Sequence, residues 1–198
     1  MYPRLIVNAD DYGRSPGVSE GILQAHRKGI VTTTTVMMNL EGAIEQLQRA
    51  REEAPDLGLG VHLNLTLGIP LSGPHRVPSL VEPSGAFLDR RALLSAPQRV
   101  RREDIAHEWR LQIETFLQSG ATLDHLDSHH HIALHSPSTW DLLLELAEEY
   151  QCGVRSPYPA DIPDAELLDA YPASTVAYIR GEALRSLASR RIPHPDRF

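Results

Sequence analysis

Asp10 and Asp11 stand side by side after the apolar run Leu5-Ile6-Val7, and five of the chain's ten histidines fall between residues 125 and 135. Carboxylates and imidazoles together make the donor set of a divalent-metal centre. One carboxylate with two imidazoles leaves coordination positions open for water and substrate. Imidazole nitrogen favours zinc or another transition metal over magnesium. Taken alone, a pair of aspartates is most simply a solvated turn. The functional alternative is that neighbouring side chains diverge, so that one carboxylate holds a metal while the other faces a reacting water.

The segment Asp124-His125-Leu126-Asp127-Ser128-His129-His130-His131 is the sharpest signal. Read as a strand, its period-two spacing places His125, Asp127, His129 and His131 on one face with no apolar residue. Such a face is hard to pack in an apolar core, because each buried polar group would need a partner. A polar barrel interior at a metal site accounts for it, with Asp127 orienting a ligand histidine from behind. His62, within Gly58-Leu59-Gly60-Val61-His62-Leu63-Asn64-Leu65, shares a face with Asn64, opposite Val61, Leu63 and Leu65. A lone strand histidine is more often a core or surface residue than a ligand, so His62 draws its weight from the other clusters. His26, His75, His107 and His194 sit in loop or exposed contexts and receive no role. The sequence has no Gly-Lys-Ser/Thr phosphate loop and no Gly-x-Ser-x-Gly elbow, and Cys152 has no nucleophile context.

These residues need elements to position them. Leu5-Ile6-Val7 reads as a buried strand ending in a polar loop, and Ser15-Pro16 as the N-cap and first position of a helix that stops at Gly29. Ile30 to Met38, with four consecutive threonines, suits a second strand. Residues 41–54 form a helix ended by Pro55. Leu57 to Leu65 is a third strand, and residues 66–100 form a long proline-rich loop of the kind that covers a site. Residues 101–118 carry Ile105, Trp109, Ile113 and Phe116 on one helical stripe. Leu123 to His131 is a fourth strand, Pro137 to Tyr150 a helix, Cys152 to Arg155 a short fifth strand, and Val176 to Leu187 a last helix. Alternating strands and helices imply a parallel sheet, whose sites lie at the carboxyl ends of the strands. Asp10, Asp11 and the 129–131 histidines fall at such ends, and His62 lies in the back half of its strand.

A chain of 198 residues suits a single domain over residues 1–198. A net charge of −7 argues against nucleic acid or an anionic membrane as the main partner, since both call for a basic surface. A neutral sugar remains compatible. One cysteine rules out an intrachain disulfide and a Cys-based zinc site. The N-terminus shows no leader-like apolar stretch and no run long enough to span a bilayer, so a cytoplasmic location is expected.

Three blocks, Leu5–Gly13, Gly60–Thr66 and Asp124–His131, resemble the YdjC-like carbohydrate deacetylases, in that family's order and spacing. Pro78-Ser79-Leu80, Gly85-Ala86-Phe87 and Val154-Arg155 resemble further family positions. The resemblance implies an α/β fold, a distorted or incomplete TIM-like barrel with parallel strands. It implies hydrolysis of the N-acetyl group of a small carbohydrate such as a chitooligosaccharide. By motif, Asp11, His62 and His129 would hold the metal and Asp10 would be the general base. Asp127, His125, His131 and Arg155 would support the site or touch substrate. The family's metal is magnesium, whereas the ligand types favour zinc or another transition metal. The chain departs from the family at Ala133, where a histidine is usual, and carries no Glu-x-Met-x-His-Pro block, whose histidine would be the general acid. The shorter chain is expected to leave a barrel edge open, to cover it by forming a homodimer, or to be part of a longer product. Other readings are a metal hydrolase acting on another substrate class and a catalytically weak metal- or sugar-binding protein.

Overall fold

Strands and helices alternate as the pattern demands. The computed structural model describes residues 4–95, 97–157, 163, 167–168 and 171–196. The strands are β1 (Asn8–Tyr12), β2 (Thr33–Val36), β3 (Gly58–Leu63), β4 (His125–Ser128) and β5 (Gly153–Val154). All pairings are parallel and the spatial order is β1-β2-β3-β4-β5. This order has no switch point, so it matches the wall of a (β/α) barrel rather than a doubly wound sheet. Among the described residues the sheet is open, with β1 and β5 at its edges. The helices are α1 (Pro16–Lys28), α2 (Ala43–Glu53), α3 (Arg90–Ser95), α4 (Arg102–Gln118) and α5 (Pro137–Glu149). After them come α6 (Ala173–Tyr178), a wider π-type turn at Ile179–Ala183, and α7 (Leu184–Ala188).

The two faces of the sheet differ in kind. Val36, Leu59, Val61, Leu63, Leu126 and Val154 point to one side and belong to the hydrophobic core. Helix α4 adds Ile105, Trp109, Ile113 and Phe116 to that core, all at most 3% exposed, so the apolar stripe read from the sequence is its buried face. The opposite face carries Asn8, Thr33, Thr35, Gly58, Gly60, His62, His125 and Asp127, brought side by side by the register. It is polar or small throughout, and its groups bond one another. Thr33 Oγ1 donates to Asn8 Oδ1 at 2.5 Å, and Thr35 Oγ1 donates to Asp127 Oδ2 at 3.2 Å.

That polarity explains where the sequence reading misplaced β1. Leu5 and Ile6, expected inside a buried strand, are 77% and 57% exposed, and the strand begins at Asn8. The segment Asn8-Ala9-Asp10-Asp11 looks like a loop because one of its faces lines a hydrophilic interior. The fourth strand is also shorter than expected. It ends at Ser128, and His129–His135 form a tight helical turn in which His130 and His131 have φ of 55° and 52°. Period-two alternation therefore holds for His125 and Asp127 and fails for His131.

The long connection after β3 is not wholly loop. Pro78–Leu80 form a 3-10 turn, Val81 bridges Phe87, and α3 starts at Arg90. Ser15 caps α1 by accepting from the Val18 N–H at 3.3 Å, with Pro16 at the first turn as expected. The last helical stretch starts at Ala173, three residues earlier than the sequence suggests.

Candidate metal centre

A bulge in β1 brings both aspartates to one site. Ala9 pairs with Thr34 and Tyr12 with Val36, so β1 carries one more residue than β2 across that interval. Asp11 takes up the slack with a φ of 69°, in the left-handed region. Flat alternation would have sent Asp10 and Asp11 to opposite faces; with the bulge both line the same cleft. Tyr12 then turns into the core, fully buried, with its hydroxyl donating to the Gln46 carbonyl at 2.8 Å. Left-handed backbone is uncommon outside glycine, and at Asp11, His130 and His131 it gathers around one site.

Asp11, His62 and His129 meet there. Asp11 Oδ1 lies 3.2 Å from His62 Nε2 and 3.1 Å from His129 Nδ1, and the two nitrogens are 3.2 Å apart. Donor atoms bound to one cation at about 2.0–2.2 Å would stand roughly 3.0–3.4 Å from each other. Asp11 Oδ1 is buried and makes no well-directed hydrogen bond, although both nitrogens are near it. A nearly equilateral triangle of one carboxylate oxygen and two imidazole nitrogens fits a divalent cation. His129 first, and then His62, hold the Asp11 carboxyl well below the usual carboxylate range.

Behind this triangle the support is also charged. His62 Nδ1 lies 2.5 Å from Asp127 Oδ1 and 3.1 Å from Thr35 Oγ1, which fixes the ring and leaves Nε2 facing Asp11. Burial disfavours charge on His62, but Asp127, with Asp11 and Asp10, outweighs it and raises the pKa to about 10. Burial likewise acts to raise Asp127, and His62 and Arg155 overcome it, so the carboxyl sits below its ordinary value. Arg155 Nη1 donates to Asp10 Oδ1 at 3.1 Å, to Asp10 Oδ2 at 2.9 Å and to Asp127 Oδ2 at 3.1 Å. Asp10 also accepts from Asn8 Nδ2 at 2.7 Å. Asp10, His62 and Asp127 are close enough to form a second ligand group, but the Arg155 guanidinium already lies between the two aspartates and offsets part of their charge.

The cleft over the triangle holds about 320 Å³ and is lined by Asp10, Asp11, His62, Arg90, Ser128, His129, His130, His131 and Tyr171. His131 lines it, and burial and Arg155 push its pKa down to about 4. His125 does not line it. It lies lower on the polar face, level with Gly153, and its ring crosses in front of Gly60. Arg90 and Tyr171 went unnoticed in the sequence, since neither belongs to a motif. A guanidinium within the proline-rich stretch was the available signal for the first.

A polar ladder on α4 was also missed in the sequence. Asp104, Glu108 and Gln112, four residues apart, are each at most 4% exposed. Their regular spacing beside the apolar stripe was the signal. Asp104 accepts from Ser79 N and Oγ, and Glu108 from Leu71 N, Ser72 N and Ser72 Oγ. Gln112 donates to the Asn64 carbonyl and accepts from its N–H. The ladder ties the proline-rich connection to the helix.

With this geometry in place, the comparisons with known proteins are decisive about kinship. The family model of YdjC-like proteins matches residues 4–197. The chain belongs to the YdjC-like family. A carbohydrate deacetylase of Brevibacillus brevis (strain 47) is 46% identical over 158 residues, 78% of this chain and 60% of that protein. A carbohydrate deacetylase of Oceanobacillus iheyensis is 45% identical over 157 residues, 77% of this chain and 64% of the relative. A crystal structure of an Enterococcus faecalis V583 protein, provisionally described as cleaving cellobiose-phosphate, superposes with a TM-score of 0.79 at 33% identity. That match covers 96% of this chain and 66% of the other. The chain thus spans about 60% of the length of these curated YdjC-like relatives. Among the described residues no helix is long and apolar enough to cross a membrane.

Proposed function

We propose that this YdjC-like chain carries the metal-dependent hydrolysis of N-acetyl groups on a carbohydrate, with chitooligosaccharides as the substrate class to test. The observation that supports it best is Asp10, a carboxylate beside the Asp11–His62–His129 triangle in the same cleft. The relatives named carbohydrate deacetylases support the same reading.

Asp11, His62 and His129 would hold the cation. A divalent ion there would supply Lewis-acid polarisation of the acetamide and a lowered pKa for water. Asp10 would take the proton of the attacking water as general base. Its side chain is 38% exposed, and Arg155 and Asn8 hold it in place. Asp127 would keep His62 in the orientation that presents Nε2 to the cleft. The leaving nitrogen then needs a proton, and Asp10, carrying one from the first step, lines the same cleft. Two imidazoles and a carboxylate favour zinc or another transition metal, while the family resemblance points to magnesium.

The test is acetate release from N-acetylated chitooligosaccharides by the 198-residue chain, reconstituted separately with magnesium and with zinc. Release that stops with chelator supports the reading and identifies the working metal. One equivalent of bound metal without acetate release would instead favour a metal- or sugar-binding role.

A further inference from the structure

We propose that Glu108 is a positioning residue for the substrate cleft, acting through Gln112, Asn64 and Thr66 on His130. Glu108 is fully buried on α4 and collects donors from two directions. Its Oε2 accepts from Ser72 N at 3.0 Å and Ser72 Oγ at 2.6 Å, and its Oε1 from Leu71 N at 3.0 Å. The same Oε1 accepts from Gln112 Nε2 at 2.8 Å, which fixes the amide of Gln112.

Gln112 then grips the backbone of Asn64 from both sides. Its Nε2 donates to the Asn64 carbonyl at 2.8 Å, and its Oε1 accepts from the Asn64 N–H at 2.9 Å. Asn64 follows His62 by two residues, just past the end of β3. Its side chain accepts from the Thr66 N–H at 3.0 Å and donates to the Leu67 carbonyl at 2.7 Å. Thr66 Oγ1 lies 3.0 Å from Nδ1 of His130. The His130 ring packs on His129 with centroids 3.9 Å apart, and it lines the cleft.

Each link in this chain is a buried or part-buried hydrogen bond, so its cost of rupture exceeds that of a surface bond. The His130 backbone is left-handed within the His129–His135 turn. Thr66 is its polar tether, and Glu108 sets the far end of the tether while binding residues 71 and 72. The anchored start of the proline-rich connection and the orientation of a cleft side chain are therefore one mechanical unit. A carboxylate is needed at its centre, since all four of its partners are donors. An amide in its place would turn one N–H group toward donors.

The test compares Glu108→Gln, Thr66→Val and the double variant. Three readouts are taken: amide hydrogen exchange over residues 64–72, the ring carbon–proton NMR signal of His130, and kinetics of acetate release. Glu108→Gln is expected to speed exchange and to move the His130 signal in the same sense as Thr66→Val. It should raise KM about tenfold with a smaller change in kcat and one equivalent of metal retained. The double variant should be no worse than the stronger single one, because the two act in series. Faster exchange at residues 69–72 with an unmoved His130 signal would overturn the proposal, as would simple additivity. If Glu108→Gln fails to fold, Ser72→Ala removes only the 2.6 Å bond and must still shift the His130 signal. The kinetic arm rests on the deacetylase reading. Absence of acetate release by the parent protein would count against that reading, while exchange and ring signal still decide the role of Glu108.

Discussion

The imidazole of His62 and the carboxylate of Asp127 meet at 2.5 Å, both side chains almost wholly shut off from solvent. They sit on neighbouring strands at the same level of the sheet, so the contact follows from β3–β4 register. Asp127 thereby determines which nitrogen of His62 faces Asp11. Asp127→Asn keeps the shape and loses the charge. Metal affinity should fall by about 10–100-fold, the usual cost of losing a carboxylate behind a ligand histidine. Titration of the metal-free protein with zinc or cobalt would read this. Unchanged affinity would mean that Asp127 serves only to seat Arg155.

Asp10 should separate binding from turnover. Asp10→Asn is expected to bind one equivalent of metal as the parent does and to lose about 10²–10⁴-fold in kcat, the range for a removed general base. Arg155→Lys should give a milder version, because the charge is kept while the one guanidinium nitrogen, Nη1, that reaches both Asp10 and Asp127 is replaced by an ammonium of different reach. Metal content and acetate release measured on the same samples make the comparison. Turnover surviving in Asp10→Asn would remove the assignment of Asp10 as base.

Much of this site was legible in the sequence, and the rest had physical reasons for staying hidden. Asp11, His62 and His129 come from three strand ends, which parallel topology must bring together. The stripe Ile105, Trp109, Ile113 and Phe116 and the Ser15-Pro16 start were readable because helix periodicity and caps are local. The position of β1 was not, since strands with a polar inner face lack the apolar signature that marks a strand. The left-handed pair His130–His131 was hidden as well, because alternation is silent about where a strand ends. Asp104, Glu108 and Gln112 were overshadowed by the apolar residues next to them, and what a buried polar side chain binds is a tertiary fact.

Asp104 predicts how the protein responds to acid. Burial alone would raise its pKa, but the Ser79 N–H, the Ser79 hydroxyl and Arg101 outweigh it and hold the carboxyl below its ordinary 3.8. A carboxyl lowered in the folded state stabilises the fold above its unfolded value. That contribution is lost as the pH falls from the unfolded value through the folded one. Thermal melts of the parent should therefore drop as pH is taken down through about 4 and below. Asp104→Asn should begin less stable at neutral pH and show a shallower drop over the same window. Parallel curves for the two proteins would show that acid sensitivity arises elsewhere.

Gly60 should tolerate no side chain. It lies between Leu59 and Val61 in the middle of β3, on the polar face, where His125 of β4 crosses it. A Cβ at Gly60 would stand 2.5 Å from the His125 carbonyl oxygen and 2.9 Å from Nδ1 and Cε1 of its ring. The ring could swing aside, but the carbonyl belongs to the sheet and cannot move without parting β3 from β4. Gly60→Ala should cost about 1–3 kcal/mol, the scale of overpacking in a tight interior. The strain falls two residues from His62 and two from Asp127, so metal affinity should drop along with stability. Denaturant melts and metal titration of Gly60→Ala, set beside Gly21→Ala on α1, where nothing lies within 4 Å of an added Cβ, provide the contrast. Equal stability of the two variants would mean that β3 and β4 can separate at this level without loss, and that the close approach of His125 is not required to hold the metal-binding strands in register.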